Sequence, residues 1–363
     1  MKKFVFQMTS SKSRARRARL VFLGQMSGFL LVAGTAFLIG ATLAKADPVA
    51  EIAGFSALKV DQAKLDKGDI ISQRSPGMGL PRGQSVESLY VVDAPFEKTF
   101  GSLKEWNGSS HKDLKVYLHG DVSASPNPAD FQKLASAPDN EAVRALAAAT
   151  YKLSANPSAV QLSGAEASGA PKGEGKAQGL PANVASFWGS ILEKRARTFL
   201  SGGASAQPPY ESGAKVSPAD EITALLRAQP KIENQFHAIL GSAGINGRPQ
   251  GKSYQYWELV DADEGVGAIT LGSSVFANNG KSAQAVDFQF YASGNYYVFV
   301  TLTQIWPIQV GSKQETLLWR ADMVTSSSLA ALHGIERNAA GAALSKELTR
   351  LMNHFRQDTA ASR

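Results

Sequence analysis

Between Tyr254 and Val324 the chain reads as five β-strands in succession, and this run limits the fold more than any other feature. The strands are Tyr254–Val260, Val266–Phe276, Val286–Tyr291, Tyr296–Trp306 and Thr316–Val324. Ala292–Asn295 and Gly311–Gln314 are of hairpin length and composition, so neighbouring strands pair antiparallel. Within the fourth strand Val298, Val300 and Leu302 share one face. A helix of about 17 residues closes the chain, with Leu344, Leu348, Leu351, Met352 and Phe355 forming one apolar stripe. Such a stripe needs an apolar partner, and the sheet is the available one. The fold class is therefore α+β, an antiparallel curved sheet gripping a long C-terminal amphipathic helix.

The opposite end of the chain carries a different signal. Residues 1–46 contain eight Lys or Arg and no acidic group. Phe29–Leu43 is apolar, and Ala44-Lys45-Ala46 places small residues before Asp47. This is the pattern of a secretory leader cleaved after Ala46, and it predicts export to the periplasm or the extracellular space. An uncleaved anchor is the alternative. The leader also accounts for the charge. Over the whole chain 38 basic residues stand against 31 acidic ones, but without the leader the balance is one charge negative. No basic field remains for nucleic acid, and no membrane span is expected after cleavage. The chain has no cysteine, which excludes disulfides, thiolate metal sites and cysteine nucleophiles.

Between these ends, Ser85–Val92 reads as a strand. Phe96, Phe100, Leu103 and Trp106 then mark a helix with one buried side, and Leu114–His119 is a second short strand. Residues 107–250 form a mostly helical insertion. Within it, 163–182 is rich in Gly, Ala, Pro and Lys and reads as a mobile low-complexity loop. The expected division is a leader at 1–46, a core strand and helix at 47–106, the insertion at 107–250, and the meander with its helix at 251–363.

The opening Tyr90-Val91-Val92-Asp93-Ala94-Pro95-Phe96, the closing strands and the terminal helix together resemble the START and Bet v 1-like superfamily of helix-grip proteins. The resemblance rests on topology, not on a fixed motif, and the insertion is longer than the family's usual connection. It implies a cavity between the sheet and the last helix that takes an apolar small molecule or lipid, and it transfers no catalytic residue.

The candidate wall of that cavity is Tyr256, Phe288, Phe290, Tyr297, Phe299 and Trp319 from the strands, with Leu348 and Met352 from the helix. The same aromatics equally describe a filled core, which would leave an envelope structural or interaction protein. An exported enzyme with a site near His119-Gly120-Asp121 is a third reading, since a His beside a carboxylate can act as a base. No zinc-type His spacing, nucleophile elbow or phosphate-binding loop occurs, so neither a metal nor a cofactor is expected. Asp261, Asp263 and Glu264 read as a solvated turn, with no closing Glu for a calcium loop.

Overall fold

A computed structural model describes residues 47–362 apart from 76–77, 157–158, 174–178 and 212–214, so the predicted leader lies outside the described residues. Asp47 caps helix α1 (Pro48–Phe55) by accepting from the Val49 amide at 3.0 Å, with Pro48 in the first turn. Helix α2 (Gln62–Leu65) and strand β1 (Ile71–Arg74) lead to strand β2 (Gly83–Val92) and helix α3 (Phe96–Glu105). Strand β3 (Val116–Val122) follows two single 3-10 turns. The insertion then supplies α4 (Glu141–Tyr151), α5 (Gly164–Ala167), α6 (Ala182–Gly202), α7 (Pro218–Arg227), α8 (Pro230–Gln235) and α9 (His237–Ser242). The meander is β4 (Tyr254–Asp263), β5 (Val266–Asn278), β6 (Ala283–Ala292), β7 (Val298–Val310) and β8 (Lys313–Thr325). Helices α10 (Ser327–Ala331) and α11 (Gly334–Ala361) end the chain.

The fold is α+β, built on one open sheet of eight antiparallel strands in the order β1-β2-β8-β7-β6-β5-β4-β3. Helix α11 reaches both margins of this sheet. Near its start Arg74 of β1 donates to the Asn338 carbonyl at 3.0 Å, and Gly341 leaves no room for a Cβ against Arg74 and Gln84. Near its end His354 and Arg350 contact Asp113, just ahead of β3. The sheet therefore curves around the helix, and the arrangement is compatible with a helix-grip topology. Among the described residues no helix is long and apolar enough to cross a membrane.

Strand alternation gives the sheet two faces of different character. The outer face carries Leu89, Leu271, Phe288, Phe290, Val300, Leu302 and Trp319, all fully buried. The insertion covers it: Phe199 of α6 stacks on Phe290 at 4.3 Å, and Phe236 between α8 and α9 packs on Trp319 at 5.8 Å. The inner face meets α3 and α11 through Val86, Tyr90, Ile305 and Leu318, against Phe100, Leu348, Met352 and Phe355. Val298, Val300 and Leu302 do share a face, but it is the one turned away from the terminal helix.

Three expectations change. The terminal helix runs 28 residues, because Ala-rich 339–343 sustains a helix without an apolar stripe. Helix α1 and strand β1 add to the core region, although Ile71-Ser72-Gln73-Arg74 has too few apolar residues to announce a strand. The low-complexity loop is anchored at its described ends. Ser163 and Glu166 form a capping box on α5, and Glu166 Oε2 accepts from Arg195 at 2.7 Å. Arg195 is 1% exposed and also lies 4.2 Å from the Tyr291 ring. At the far end the Gly179 amide donates to Asp139.

Two stability tests follow from this packing. Glu166→Ala should cost about 3–5 kcal/mol, since it leaves a buried guanidinium without its partner. Glu193→Ala, which removes a helical pair with Arg197 on the same α6, should cost under about 0.5 kcal/mol. Denaturant midpoints compare the two, and equal values would make the Arg195 pair dispensable. Leu348→Ala should cost about 2–5 kcal/mol, while Lys346→Ala on the exposed side should be neutral within about 0.5 kcal/mol.

Candidate functional site

The middle of the inner face is polar. Register pairing lines up Arg320 and Asp322 of β8, Thr301 and Thr303 of β7, Asp287 and Gln289 of β6, Ser274 of β5, Tyr256 and Glu258 of β4, and His119 of β3. Most of these side chains keep some accessible surface, with His119 at 17% and Glu258 at 14%. Asp322, Thr301 and Thr303 are buried.

Asp287 is the centre of one group. Its carboxylate accepts from Tyr256 Oη at 2.8 Å and from Ser274 Oγ. The Tyr256 ring lies directly across Gly272, its register partner, where any Cβ would collide with the phenol. Gly272 is thus the residue that lets Tyr256 lie flat and reach Asp287. Burial pushes the Asp287 carboxyl up to about 6, against the pull of its two hydroxyl donors. Burial, together with Asp287 and Glu258, also holds Tyr256 firmly protonated.

Glu258 is the second centre. Its Oε1 lies 3.2 Å from His119 Nδ1, and Gln289 Nε2 approaches its Oε2 at 3.4 Å. Burial opposes a charge on His119, but hydrogen bonding and attraction to Glu258 and Asp121 outweigh it, so its pKa rises. The His119 ring also stacks beside Tyr256, 5.6 Å between centroids. A third group is self-contained: Arg320 pairs with Asp322 at 2.6 Å, and Thr301 donates to the same carboxylate at 2.8 Å.

On the same face the apolar stripe of α11, Leu344, Leu348, Leu351, Met352 and Phe355, packs on Val86, Tyr90, Ile305 and Leu318, and Phe100 lies against Phe276 at 6.3 Å. At the other end lies a cavity of about 610 Å³, walled by Tyr296, Leu344, Val324 and Gln84 among others. Tyr296 Oη donates to Gln289, which joins this cavity to the Glu258 group. The volume falls in the range typical of small-molecule sites.

The sequence-derived wall divides between the two faces. Tyr256 and Phe299 lie on the inner face with Leu348 and Met352. Phe288, Phe290 and Trp319 lie on the outer face, packed on the insertion, and Tyr297 stacks there with Tyr210 at 6.1 Å. The structure thus turns four of these aromatics toward the insertion, while the inner face carries Glu258, Asp287, Gln289, Tyr296 and His119, the last already a candidate from the sequence. The expected acidic turn is only partly one: Asp261 and Asp263 end β4 and Glu264 alone lies in the turn, while Asp261 is mostly buried and pairs with Lys115 at 3.2 Å. Elsewhere, His111, Asp113 and His354 converge although far apart in sequence, with one ligand atom of each within 4.8 Å of the others.

Comparison with protein-family models, with curated proteins and with solved structures found no match.

The Asp287 carboxyl gives a pH test. Its folded-state value of about 6 stands above the ordinary 3.8, so the folded chain binds this proton more tightly than the unfolded one. The ionised group therefore weakens the fold above pH 6, by up to about 3 kcal/mol, and that cost disappears below about pH 4. Asp287→Asn, whose neighbouring hydroxyls can reverse roles, should raise the melting temperature at pH 7.5. The gain over the parent should shrink toward zero at pH 4. A gain that does not depend on pH would place the carboxyl outside this environment.

Proposed function

We propose that this chain is an exported, non-enzymatic binding protein of the START and Bet v 1-like, helix-grip type. In this reading it holds a small amphiphile, or a lipid with a donor-bearing head, between the sheet and α11. The observation that carries the proposal is the pairing of a polar, acidic floor at Asp287 and Glu258 with the apolar roof of Leu344, Leu348, Leu351 and Met352. A purely apolar molecule would add no donor to Asp287, whose hydrogen bonds come from the neutral Tyr256 and Ser274 hydroxyls, and an ionised carboxylate so placed is costly in a buried setting. A protonated amine or a hydroxyl-bearing head would supply that donor, while its chain lies under the helix. The order of β2, α3, the meander and α11 matches what the resemblance to the superfamily implies. The basic and apolar leader supports the assignment to an exported protein.

The test uses delipidated protein and a fluorescent fatty-acyl probe, displaced by dodecylamine, dodecanol or dodecanoate. Probe uptake should saturate. At pH 7.5 dodecylamine should displace it at about tenfold lower concentration than dodecanoate, the worth of one charge-assisted hydrogen bond. Asp287→Asn should erase most of that preference. Leu348→Trp should lower uptake more than it lowers stability. Absence of saturable uptake by folded protein would end the binding reading, and a preference for dodecanoate would reverse the assignment of the head.

A further inference from the structure

A second cluster lies where the end of α11 meets the loop between α3 and β3, away from the Asp287 and Glu258 floor. His111 sits between the two 3-10 turns of that loop, with Asp113 in the second. His354 and Asp358 project from the last turns of α11, one helical turn apart. The His111 and His354 imidazoles stack at 3.9 Å between centroids. His354 Nε2 lies 2.9 Å from Asp113 Oδ2, and His111 Nε2 lies 2.7 Å from Asp358 Oδ2. One donor atom each from His111, Asp113 and His354 falls within 4.8 Å of the others.

We propose that His111, Asp113 and His354 form a site for a divalent transition-metal ion of the zinc class, with water in the fourth position. Two neutral imidazoles and one carboxylate are a donor set that suits Zn²⁺. Bonds of about 2.0–2.2 Å to nitrogen and oxygen place tetrahedral ligands roughly 3.4 Å apart, so the observed spread closes by small side-chain rotations. The surroundings fit as well. Asp358 accepts from Trp106 Nε1 at 2.7 Å, which fixes that carboxylate beside His111. A carboxylate on the far nitrogen of a ligating His is the usual device for setting its tautomer and orientation. The two His side chains are about one-fifth exposed and Asp113 is half exposed, so an ion has access. Arg350 Nε lies 3.8 Å from Asp113 Oδ2, and its Nη1 is engaged by Glu347 at 2.8 Å. A bound ion would fasten the roof helix to the segment entering β3, joining parts of the chain 241 residues apart.

The test is independent of ligand binding in the cleft. Chelator-stripped protein is titrated with ZnCl2 by calorimetry and with Co²⁺ by visible absorption. One equivalent should bind, with the intense d–d bands of a four-coordinate Co²⁺ centre and a higher melting temperature. His354→Ala and Asp113→Asn, both at accessible positions, should abolish binding while leaving the circular dichroism unchanged. Asp358→Asn should weaken it about ten- to a hundredfold, as expected for a supporting carboxylate. His237→Ala, an exposed histidine elsewhere, should change nothing. Failure to bind one equivalent would overturn the proposal, as would binding that survives both His354→Ala and Asp113→Asn.

Discussion

The pairing of β2 with β8 governs the rest of the molecule. Ten residues of β2 lie opposite ten of β8, from Gly83 against Thr325 to Val92 against Thr316. More than two hundred residues of chain intervene. Closing so long a loop costs entropy, although that cost grows only logarithmically with length. The register also decides sidedness. With Tyr90 opposite Leu318 and Leu89 opposite Trp319, every later strand inherits an inner and an outer set. A slip of one residue would send Trp319 under α11 and Arg320 into the insertion helices.

Much of the architecture is legible in the sequence because it follows from local periodicity. The five strands of the meander, the α3 helix and the Leu348–Met352–Phe355 stripe all declare themselves by spacing. Sidedness does not. Alternation shows that Phe288 and Asp287 point in opposite directions, yet it cannot say which direction holds the terminal helix. An apolar face and an apolar stripe are natural partners, and on that reasoning Phe288, Phe290 and Trp319 belong to the cavity wall facing the helix. The insertion supplies a second apolar partner through Phe199 and Phe236, and that partner takes the outer face. The His111–Asp113–His354 cluster is equally invisible to spacing, since its parts meet only when the sheet curls. Besides His119-Gly120-Asp121, Gly272 opposite Tyr256 is a local hint of the site, a glycine in a strand where a ring needs room.

Burial on both faces leaves the inner floor as the place where the fold accepts unfavourable electrostatics. Arg320 and Asp322 neutralise each other, and Thr301 completes that pair. Burial drives up the proton affinity of Asp287 against the pull of its neutral donors. Glu258 shares His119 with Asp121. An acidic surplus held under an apolar helix costs stability without helping the core to pack. In the proposed reading, a ligand's donor-bearing head would supply the missing counterpart.

The sheet is open, so its two margins present backbone groups that could pair with another chain. Each margin is blunted differently. Strand β1 is only four residues long and ends at Arg74, which is tied to α11. On β3 the irregular register near Val116 and Leu118 breaks the straight run, and Lys133 donates to the His119 carbonyl at 3.3 Å. A short strand, a bulge and a lysine are the means by which natural sheets avoid templating their own growth. The consequence bears on self-association: at neither described margin is there a long, flat ladder of free backbone groups on which a neighbouring chain could pair.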